Sequence, residues 1–344
     1  MNKHKILLTT FSGWPGACTA FRHIAKLTGF SFSFLDEMLC GTKYSDLKGH
    51  FTKVSTTLKA AIQFYTLKNF LNYDYIVIGG YTKEIELLIK RLKNKGKKVY
   101  IHWFSTPGQS EMSKGELYSM HRILELLNNY TIDALFVNRR AYKALEPIPR
   151  MILLPHPICT ELITTNRKVT KLPGYNIDLF LPFRPGKNIL TQVLAVRKVD
   201  KNVSIHSNVD NQIILALIKY LDVKFTKYYW LKSNEYYNLI SRMTLSLQVT
   251  HTESFNYAVA ERMCLGIPPL ATFNIYFLSK DKFLQKHLCV DAPDSVDSIA
   301  KKLKTILYEP TLREELSSAC IERIMSVAGE NNQEMLQIVA ELFK

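Results

Sequence analysis

Short apolar runs alternate with amphipathic stretches along the first half of the chain. A short apolar run between polar residues predicts a buried strand, and apolar residues at intervals of three and four predict a helix. The predicted strands are Ile6–Leu8, Phe30–Leu35, Tyr75–Ile78, Val99–Phe104 and Ala134–Val137, and the predicted helices include Ser55–Leu71, Lys83–Lys93 and Lys114–Leu127. Strands that alternate with helices indicate a parallel sheet covered on both faces.

A second set of strands predicts a second sheet. Its members are Asp178–Leu181, Val203–His206, Val223–Phe225, Leu245–Val249 and Pro269–Ala271. Met151–Pro157 separates the two sets, and its two prolines favour an extended crossing between domains. We therefore predict an α/β protein with two Rossmann-like parallel-sheet domains, residues 1–157 and residues 158–331. Ligands of open parallel sheets bind beyond the carboxyl ends of the strands, so we expect the domains to face a cleft that holds the active site.

Composition agrees with two soluble domains. The length of 344 residues suggests about two domains with full cores, and 47% apolar with 22% charged residues is typical of a globular protein. The sequence has no uncharged apolar run of about 18 residues, so no membrane-spanning helix is predicted, and the N-terminal apolar run is too short for a signal peptide. The six cysteines are scattered without a Cys-x-x-Cys pair, which indicates reduced thiols in a cytoplasmic protein.

Two carboxylates eight positions apart form the most informative motif. Glu253 follows the predicted strand Leu245–Val249, and Glu261 lies in an apolar helical pattern that Gly266 and Pro268 follow. A helix that begins after a strand presents free backbone N–H groups, which bind phosphate well. At about 1.5 Å per residue, Glu261 lies roughly 10 Å along the helix from that phosphate site, close to the sugar–ribose distance of a nucleotide sugar. The alternative is two surface carboxylates on an ordinary amphipathic helix.

The Glu-x7-Glu spacing, with Ser-Phe after the first glutamate and Gly-x-Pro after the second, resembles the donor site of retaining glycosyltransferases. These are of the two-Rossmann-domain (GT-B) type, and glycosyltransferase family 4 is the closest match. The resemblance implies that Glu253 contacts the donor sugar hydroxyls and that Glu261 holds the ribose. It also implies donor contacts at the backbone of Ser254, Phe255 and Asn256.

The same resemblance assigns roles to the domains. The first domain would bind the acceptor and the second would bind the nucleotide sugar. The C-terminal helix, residues 332–344, would pack back on the first domain.

Four residues elsewhere in the chain are further candidates for the site. Arg184-Pro-Gly-Lys187 follows a predicted strand and opens a helical pattern, an arrangement that makes an anion site. In the resembled family an Arg and a Lys in this loop neutralise the departing nucleoside diphosphate, at a wider spacing. The resemblance also implies a glycine loop near the diphosphate at Gly16 and a sugar-contacting histidine at His102. The alternatives are incidental basic residues in a turn, an ordinary Gly-Pro loop and a packed histidine.

No metal site is predicted. Metal-dependent glycosyltransferases of the other main fold hold a divalent cation with Asp-x-Asp, a motif absent from this sequence. His and Cys pairs at metal-ligand spacing are absent as well. We therefore predict metal-independent transfer with retention of the anomeric configuration, and no cofactor besides the nucleoside-diphosphate sugar that is the substrate.

The formal net charge of +15 indicates attraction to polyanions. Lys90–Lys98 is the densest basic run, and we interpret it as a solvated helix end remote from the cleft. Lys43, Lys48 and Lys53 follow the second strand and would meet an anionic acceptor. Hydroxymethylated duplex DNA is narrowly favoured as that acceptor, and a lipid-linked or cell-surface glycan at an anionic membrane is the alternative. A binding protein that keeps the sugar-nucleotide site without transferring sugar also fits.

Overall fold

The computed structural model describes residues 4–12, 14–40, 67–112, 114–145, 148–165, 170–182, 184–229 and 231–344. The chain divides into two compact units. Unit 1 comprises Met1–Ile158 and Asn331–Lys344, and unit 2 comprises Cys159–Glu330. The basic residues Lys43, Lys48 and Lys53 lie outside the described residues.

Unit 1 contains a six-stranded parallel sheet with the order β2-β1-β3-β4-β5-β6. Its strands are β1 (Ile6–Thr10), β2 (Ser31–Phe34), β3 (Tyr75–Gly79), β4 (Lys98–Trp103), β5 (Ala134–Val137) and β6 (Met151–Leu153). The five strands predicted for the first half are confirmed. The interpretation of Met151–Pro157 as only a crossing is wrong at its start, because Met151–Leu153 pairs with Leu135–Val137 and forms the edge of the sheet.

The helices of unit 1 join these strands as parallel topology requires. Within the described ranges they are α1 (Pro15–Thr28), α2 (Leu35–Cys40), α3 (Lys68–Leu71), α4 (Ile85–Lys93), α5 (Pro107–Glu111), α6 (Lys114–Asn128) and α7 (Arg139–Leu145). The helices predicted over Lys83–Lys93 and Lys114–Leu127 are confirmed to within two residues. Most of the predicted helix Ser55–Leu71 lies outside the described residues.

The two faces of the unit 1 sheet carry separate apolar clusters, because successive strand residues point to opposite faces. Leu7 and Ile101 belong to one cluster, whereas Leu8 and Tyr100 belong to the other. Met335 and Val339, near the C-terminus, pack into the second cluster. The Phe343 ring lies 5.0 Å from Tyr75 and 5.6 Å from Tyr100, centroid to centroid. The last residues of the chain therefore complete the core of unit 1.

Unit 2 contains a second six-stranded parallel sheet, with the order β12-β11-β10-β7-β8-β9. Its strands are β7 (Asn176–Asp178), β8 (Ser204–Ser207), β9 (Lys224–Lys227), β10 (Leu245–Leu247), β11 (Pro269–Thr272) and β12 (Cys289–Val290). The prediction of a strand over Asp178–Leu181 is displaced: β7 ends at Asp178, and the apolar run after it is buried beyond the strand end. The two-residue strand β12 is too short to form a sequence pattern.

The helices of unit 2 begin with α8 (Thr160–Thr164), and a 3₁₀ turn covers Pro185–Lys187. They continue with α9 (Ile189–Val199), α10 (Gln212–Tyr220), α11 (Ser233–Ile240), α12 (Tyr257–Cys264), α13 (Tyr276–Ser279), α14 (Lys282–Leu288) and α15 (Val296–Tyr308). The helix α16 (Pro310–Leu342) has 33 residues. A start near Asn332 is therefore wrong, because buried apolar positions such as Cys320 and Val327 continue the helical pattern upstream. None of the described helices is both long and apolar enough to cross a bilayer.

Candidate functional site

The loops after β7 and β10 leave the same edge of the unit 2 sheet, because these strands are parallel neighbours. The loop after β7 carries Lys187, and the loop after β10 carries Glu253. Lys187 Nζ donates a hydrogen bond to Glu253 Oε1 and forms an ion pair with it. The side chains are 16% and 5% exposed, respectively. The two predicted site residues are thus brought together from positions 66 apart in the sequence.

Gln192 explains why these two loops meet. Its side chain is fully buried in α9. Its Nε2 donates to the carbonyls of Lys187 (2.9 Å) and Asn188 (3.1 Å), and its Oε1 accepts from the N–H of Val249 (2.9 Å). The N–H of His251 donates to the Gly186 carbonyl at 2.9 Å. Sequence reasoning did not identify Gln192, because a polar residue in an apolar helical pattern gives no sign of its partners.

Arg184 stands at the other end of the same short turn. The Lys187 N–H donates to the Arg184 carbonyl at 2.9 Å. The Arg184 side chain is exposed, whereas Lys187 is half-buried. The turn therefore presents one cation to solvent and one to Glu253.

Asn256 sets the direction of helix α12. Its φ of 67° is left-handed, a conformation that asparagine tolerates better than most residues. Its Oδ1 caps the helix by accepting from the Val259 N–H at 3.1 Å. The helix starts at Tyr257, so the segment Ser254–Asn256, whose backbone the resemblance assigns to the donor, precedes it. Gly266, also left-handed with φ 68°, follows its end.

Phe255 anchors the segment between Glu253 and the helix. Its side chain is buried, with ring centroids 4.9 Å from Tyr257 and 5.2 Å from Phe277. Ser254 beside it is half-buried. A donor at this edge would therefore meet the backbone of a fixed segment, because a packed aromatic side chain holds that segment in place.

Glu261 is the fifth residue of α12, one turn after its start at Tyr257, and is 6% exposed. Its Oε1 accepts from the Tyr237 hydroxyl at 3.1 Å, and its Oε2 accepts from the Tyr236 hydroxyl and from Arg262 Nη1, each at 3.3 Å. Burial raises the pKa of Glu261, while Arg262 and the two hydroxyls oppose the rise. The predicted nucleotide-binding carboxylate is therefore held by three donors from two helices.

Arg262 is a buried site residue that sequence reasoning missed. Its side chain is fully buried, and its Nη2 and Nε lie 2.6 Å and 3.2 Å from Asp178 Oδ1. Burial disfavours its charge, but the Asp178 carboxylate outweighs that effect and raises the pKa of Arg262. An adjacent Glu-Arg pair inside an apolar helical pattern was the available signal.

Gly16 is the second residue of α1, directly after the loop that follows β1. A Cβ placed on this residue would meet no atom within 4 Å. The described surroundings therefore impose no steric need for glycine at this position. Its role stays a prediction.

His102 lies in β4 of unit 1 and is only 1% exposed. Its ring centroid is 4.0 Å from Phe104 and 5.9 Å from both Phe21 and His156. Neither ring nitrogen has a hydrogen-bond partner within the described part of the chain. Burial, assisted by the nearby His156, lowers the pKa of His102 well below its usual value. The imidazole is therefore neutral at physiological pH and enclosed by aromatic rings, and its contact with a sugar stays a prediction.

Solved structures share the architecture over nearly the whole chain. A sucrose-phosphate synthase from Thermosynechococcus elongatus matches with a TM-score of 0.71 at 15% identity, covering 99% of this chain and 99% of that chain. Alr3699/HepE of Anabaena, in complex with UDP and glucose, matches with a TM-score of 0.70 at 12% identity, covering 98% and 100%. The chain has the GT-B fold. The GT-B fold accounts for both parallel sheets.

The GT-B fold does not define one reaction. A protein from Listeria monocytogenes provisionally assigned as a UDP-N-acetylglucosamine 2-epimerase also matches, with a TM-score of 0.60 at 13% identity over 99% and 97% of the chains. No protein-family model and no curated protein matches the sequence. The reaction therefore depends on the side chains of the site rather than on the fold.

Proposed function

We propose that this protein is a retaining glycosyltransferase that moves a sugar from a UDP-sugar to a hydroxyl acceptor without a metal ion. The observation that carries the proposal is the buried Lys187–Glu253 pair beside a helix that carries Glu261. Fold relatives support the donor class, since the Anabaena protein was crystallised with UDP and glucose. Within the described residues, no three His, Cys, Asp or Glu side chains cluster as metal ligands would, and metal independence stays a prediction.

Each residue of the unit 2 site has a distinct role in this proposal. Lys187 and Arg184 bind the diphosphate, and the backbone from Ser254 to Asn256 borders the sugar and the phosphates. Glu253 accepts hydrogen bonds from the sugar hydroxyls. Fixed charges aimed at a leaving group contribute roughly 2–4 kcal/mol each in the transition state.

The transfer step exchanges two bonds at the anomeric carbon. The bond to the diphosphate oxygen breaks, and its electron pair leaves with UDP. The acceptor oxygen bonds to the same face of the sugar, and the acceptor proton passes to the leaving diphosphate. Glu253 forms no covalent bond to the sugar in this scheme. It serves as an orienting carboxylate that Lys187 holds in place.

Unit 2 binds the donor in this proposal, and unit 1 binds the acceptor. Gly16 would border the diphosphate, and His102 would contact the sugar. The larger share of the positive charge of the chain belongs to unit 1, which supports an anionic acceptor. We propose hydroxymethylated duplex DNA, with a glycan at an anionic membrane as the other outcome.

Binding of UDP tests the donor assignment first. Titration calorimetry should show UDP binding that Lys187→Met and Glu261→Ala weaken by about tenfold or more, because hydrogen bonds to charged groups contribute roughly 1.5–3 kcal/mol. Lys198→Met is the matched control, since Lys198 forms an exposed ion pair with Asp297. Absence of UDP binding, or equal losses in all three variants, would overturn the assignment.

Turnover of UDP-glucose and UDP-N-acetylglucosamine then tests the reaction. NMR of the products should show an α-linked sugar on the acceptor, as retention from these α-linked donors requires. Assays at low salt with hydroxymethylated duplex DNA and with glycolipid vesicles distinguish the acceptors, because phosphate contacts make DNA binding strongly salt-dependent. A free C2-epimerised sugar would indicate an epimerase, and binding without any turnover would indicate a binding protein.

A further inference from the structure

All three nitrogens of the Arg262 guanidinium contact groups that belong to unit 2. Two of its nitrogens face the Asp178 carboxylate. The third, Nη1, donates to the Ala258 carbonyl (3.1 Å), to Glu261 Oε2 (3.3 Å) and to the Tyr236 hydroxyl. A guanidinium offers five N–H donors in a fixed fork, and each of its three nitrogens has an acceptor here. These contacts on all three nitrogens hold the side chain as a fixed support.

Tyr236 connects this support to the carboxylate of Glu261. Its hydroxyl accepts from Arg262 Nη1 and donates to Glu261 Oε2 at 3.3 Å. The Tyr236 ring also lies under the guanidinium, 5.2 Å from Arg262 Cζ. Glu261 Oε2 is therefore held both directly by Arg262 and through one hydroxyl. Chains of hydrogen bonds in a buried site restrict orientation more than single contacts do.

Charge balance gives Arg262 a second effect. Asp178 and Glu261 are two buried carboxylates, and Arg262 is the cation that contacts both. Without that cation, Asp178 would repel the charge of Glu261, since like charges in a buried site favour protonation of one partner. A protonated Glu261 would donate one hydrogen bond where an ionised one accepts several.

We propose that Arg262, fixed by Asp178 and Tyr236, is a positioning residue that keeps Glu261 ionised and oriented to accept hydrogen bonds from a ribose diol. This inference rests on the proposed function, which gives Glu261 to the donor ribose. An ionised, fixed carboxylate distinguishes a ribonucleotide from its 2′-deoxy analogue, because the analogue lacks one of the two donors. Arg262 thus determines sugar selectivity in the nucleotide while it contacts no atom of the donor.

The test is the ratio of dissociation constants for UDP and 2′-deoxy-UDP, measured by titration calorimetry from pH 5.5 to 8.5. We expect the unaltered protein to prefer UDP by about tenfold or more, the contribution of a hydrogen bond to a charged group. In Arg262→Met the preference should fall below about threefold at neutral pH, with 2′-deoxy-UDP affinity nearly unchanged. The preference should recover as the pH rises, because a less stabilised Glu261 then ionises.

Arg262→Met leaves Asp178 buried and unpaired, and the protein can fail to fold for that reason. A milder variant covers this case. Tyr236→Phe removes one hydroxyl and keeps the ion pair, and should lower the preference by about threefold. Tyr228→Phe is the matched control, because its hydroxyl contacts His206 at 3.0 Å and not Glu261. The double variant Asp178→Asn/Arg262→Met removes both charges together. Its thermal denaturation, compared with that of Arg262→Met, shows whether the unpaired Asp178 prevents folding.

The outcomes separate this inference from the proposed function. If the unaltered protein binds neither nucleotide, the proposed function fails and the inference fails with it. The role of Arg262 is overturned if the unaltered protein prefers UDP and both variants, Arg262→Met and Tyr236→Phe, fold and keep that preference. The donor site stands in that case. The role of Arg262 is supported if the preference for UDP falls in Tyr236→Phe, is retained in Tyr228→Phe, and recovers with rising pH in Arg262→Met. In turnover assays the same variants should raise KM for the donor more than they lower kcat.

Discussion

Lys187 and Glu253 neutralise each other at the carboxyl edge of the unit 2 sheet, although each is assigned to a different part of the donor. The carboxylate is almost inaccessible to solvent, and the lysine side chain is half-buried. Removal of one partner from a buried pair is far more harmful than removal of both, because it leaves an uncompensated charge. The pair therefore couples folding to the chemistry of the site.

We expect Lys187→Met to lower the free energy of unfolding by about 3 kcal/mol and turnover by about 100-fold. The double variant Lys187→Met/Glu253→Gln should regain most of the stability and none of the turnover. Urea denaturation and initial rates measure the two effects. Equal stability of the single and double variants would contradict the coupling.

Helix α12 depends on an asparagine for its start. Asn256→Ala removes the cap and places alanine in a left-handed conformation, so it should cost about 1 kcal/mol for the cap and about 1–2 kcal/mol for the backbone. Asn256→Gly accepts the conformation and should cost only a few tenths of a kcal/mol.

Asn211→Ala provides the comparison, because Asn211 caps α10 from an extended conformation with φ −119°. The stability lost in Asn211→Ala should be limited to the contribution of the cap. Thermal unfolding of the three variants checks the order of these effects, and an equal loss in Asn256→Ala and Asn256→Gly would exclude backbone strain as the cause.

Thr250 is fully buried, and its hydroxyl has no hydrogen-bond partner within the described ranges. Replacement of an unpaired buried hydroxyl by a methyl group of the same shape removes a desolvation cost. We expect Thr250→Val to raise the free energy of unfolding by about 1 kcal/mol.

Thr272→Val is the matched control, since the Thr272 hydroxyl donates to the Thr250 carbonyl at 3.0 Å. That variant should lose stability instead. A loss in both variants, measured by urea denaturation, would indicate that Thr250 has a partner such as bound water.

Buried histidines make unit 1 sensitive to acid. Burial lowers the pKa of His156 to about 4, and burial with the charge of Arg22 lowers that of His23 to about 4. A depressed histidine pKa contributes stability above pH 6.5, its unfolded value, and that stability is lost as the pH falls toward 4. The loss at pH 4.5 should be about 2 kcal/mol for each histidine.

His156→Asn should remove the part of the pH dependence of the free energy of unfolding that His156 contributes. His121→Asn is the control, because the His121 side chain is 69% exposed. Urea denaturation between pH 7.5 and 4.5 measures the slopes. A steep slope that survives in His156→Asn would assign the acid sensitivity to His23 and His102.

Much of the fold was predictable because its strands are apolar runs bounded by polar residues. β6 was not, because the two prolines after it favoured a crossing between domains, and β12 was not, because its two residues leave no periodicity. The helix α16 was predicted only in its last third, because Gly329 and Asn331–Asn332 resemble a helix boundary although the apolar stripe continues through them.

Several residues of the candidate site were also accessible from sequence. Glu253, Glu261 and Lys187 stand after strands or on one helix, and parallel topology brings such positions to one edge. Gln192 and Arg262 were not accessible, because each is a polar side chain whose burial depends on distant partners. Asp178, the partner of Arg262, is 84 positions away. Sequence patterns identify residues that follow strand ends more readily than the buried residues that hold them in place.

The C-terminal segment of α16 changes the order in which the protein can fold during synthesis. Met335 and Val339 pack with Ile6 and Leu8, and the Asn332 amide bonds both the N–H (2.8 Å) and the carbonyl (2.9 Å) of Ile158. A ribosome produces these residues after all of unit 2. Domains generally fold as units, with N-terminal ones first, yet here one apolar cluster of unit 1 lacks Met335 and Val339 until the end of synthesis. Unit 2, encoded second, is therefore the first unit whose core can be completed on the ribosome.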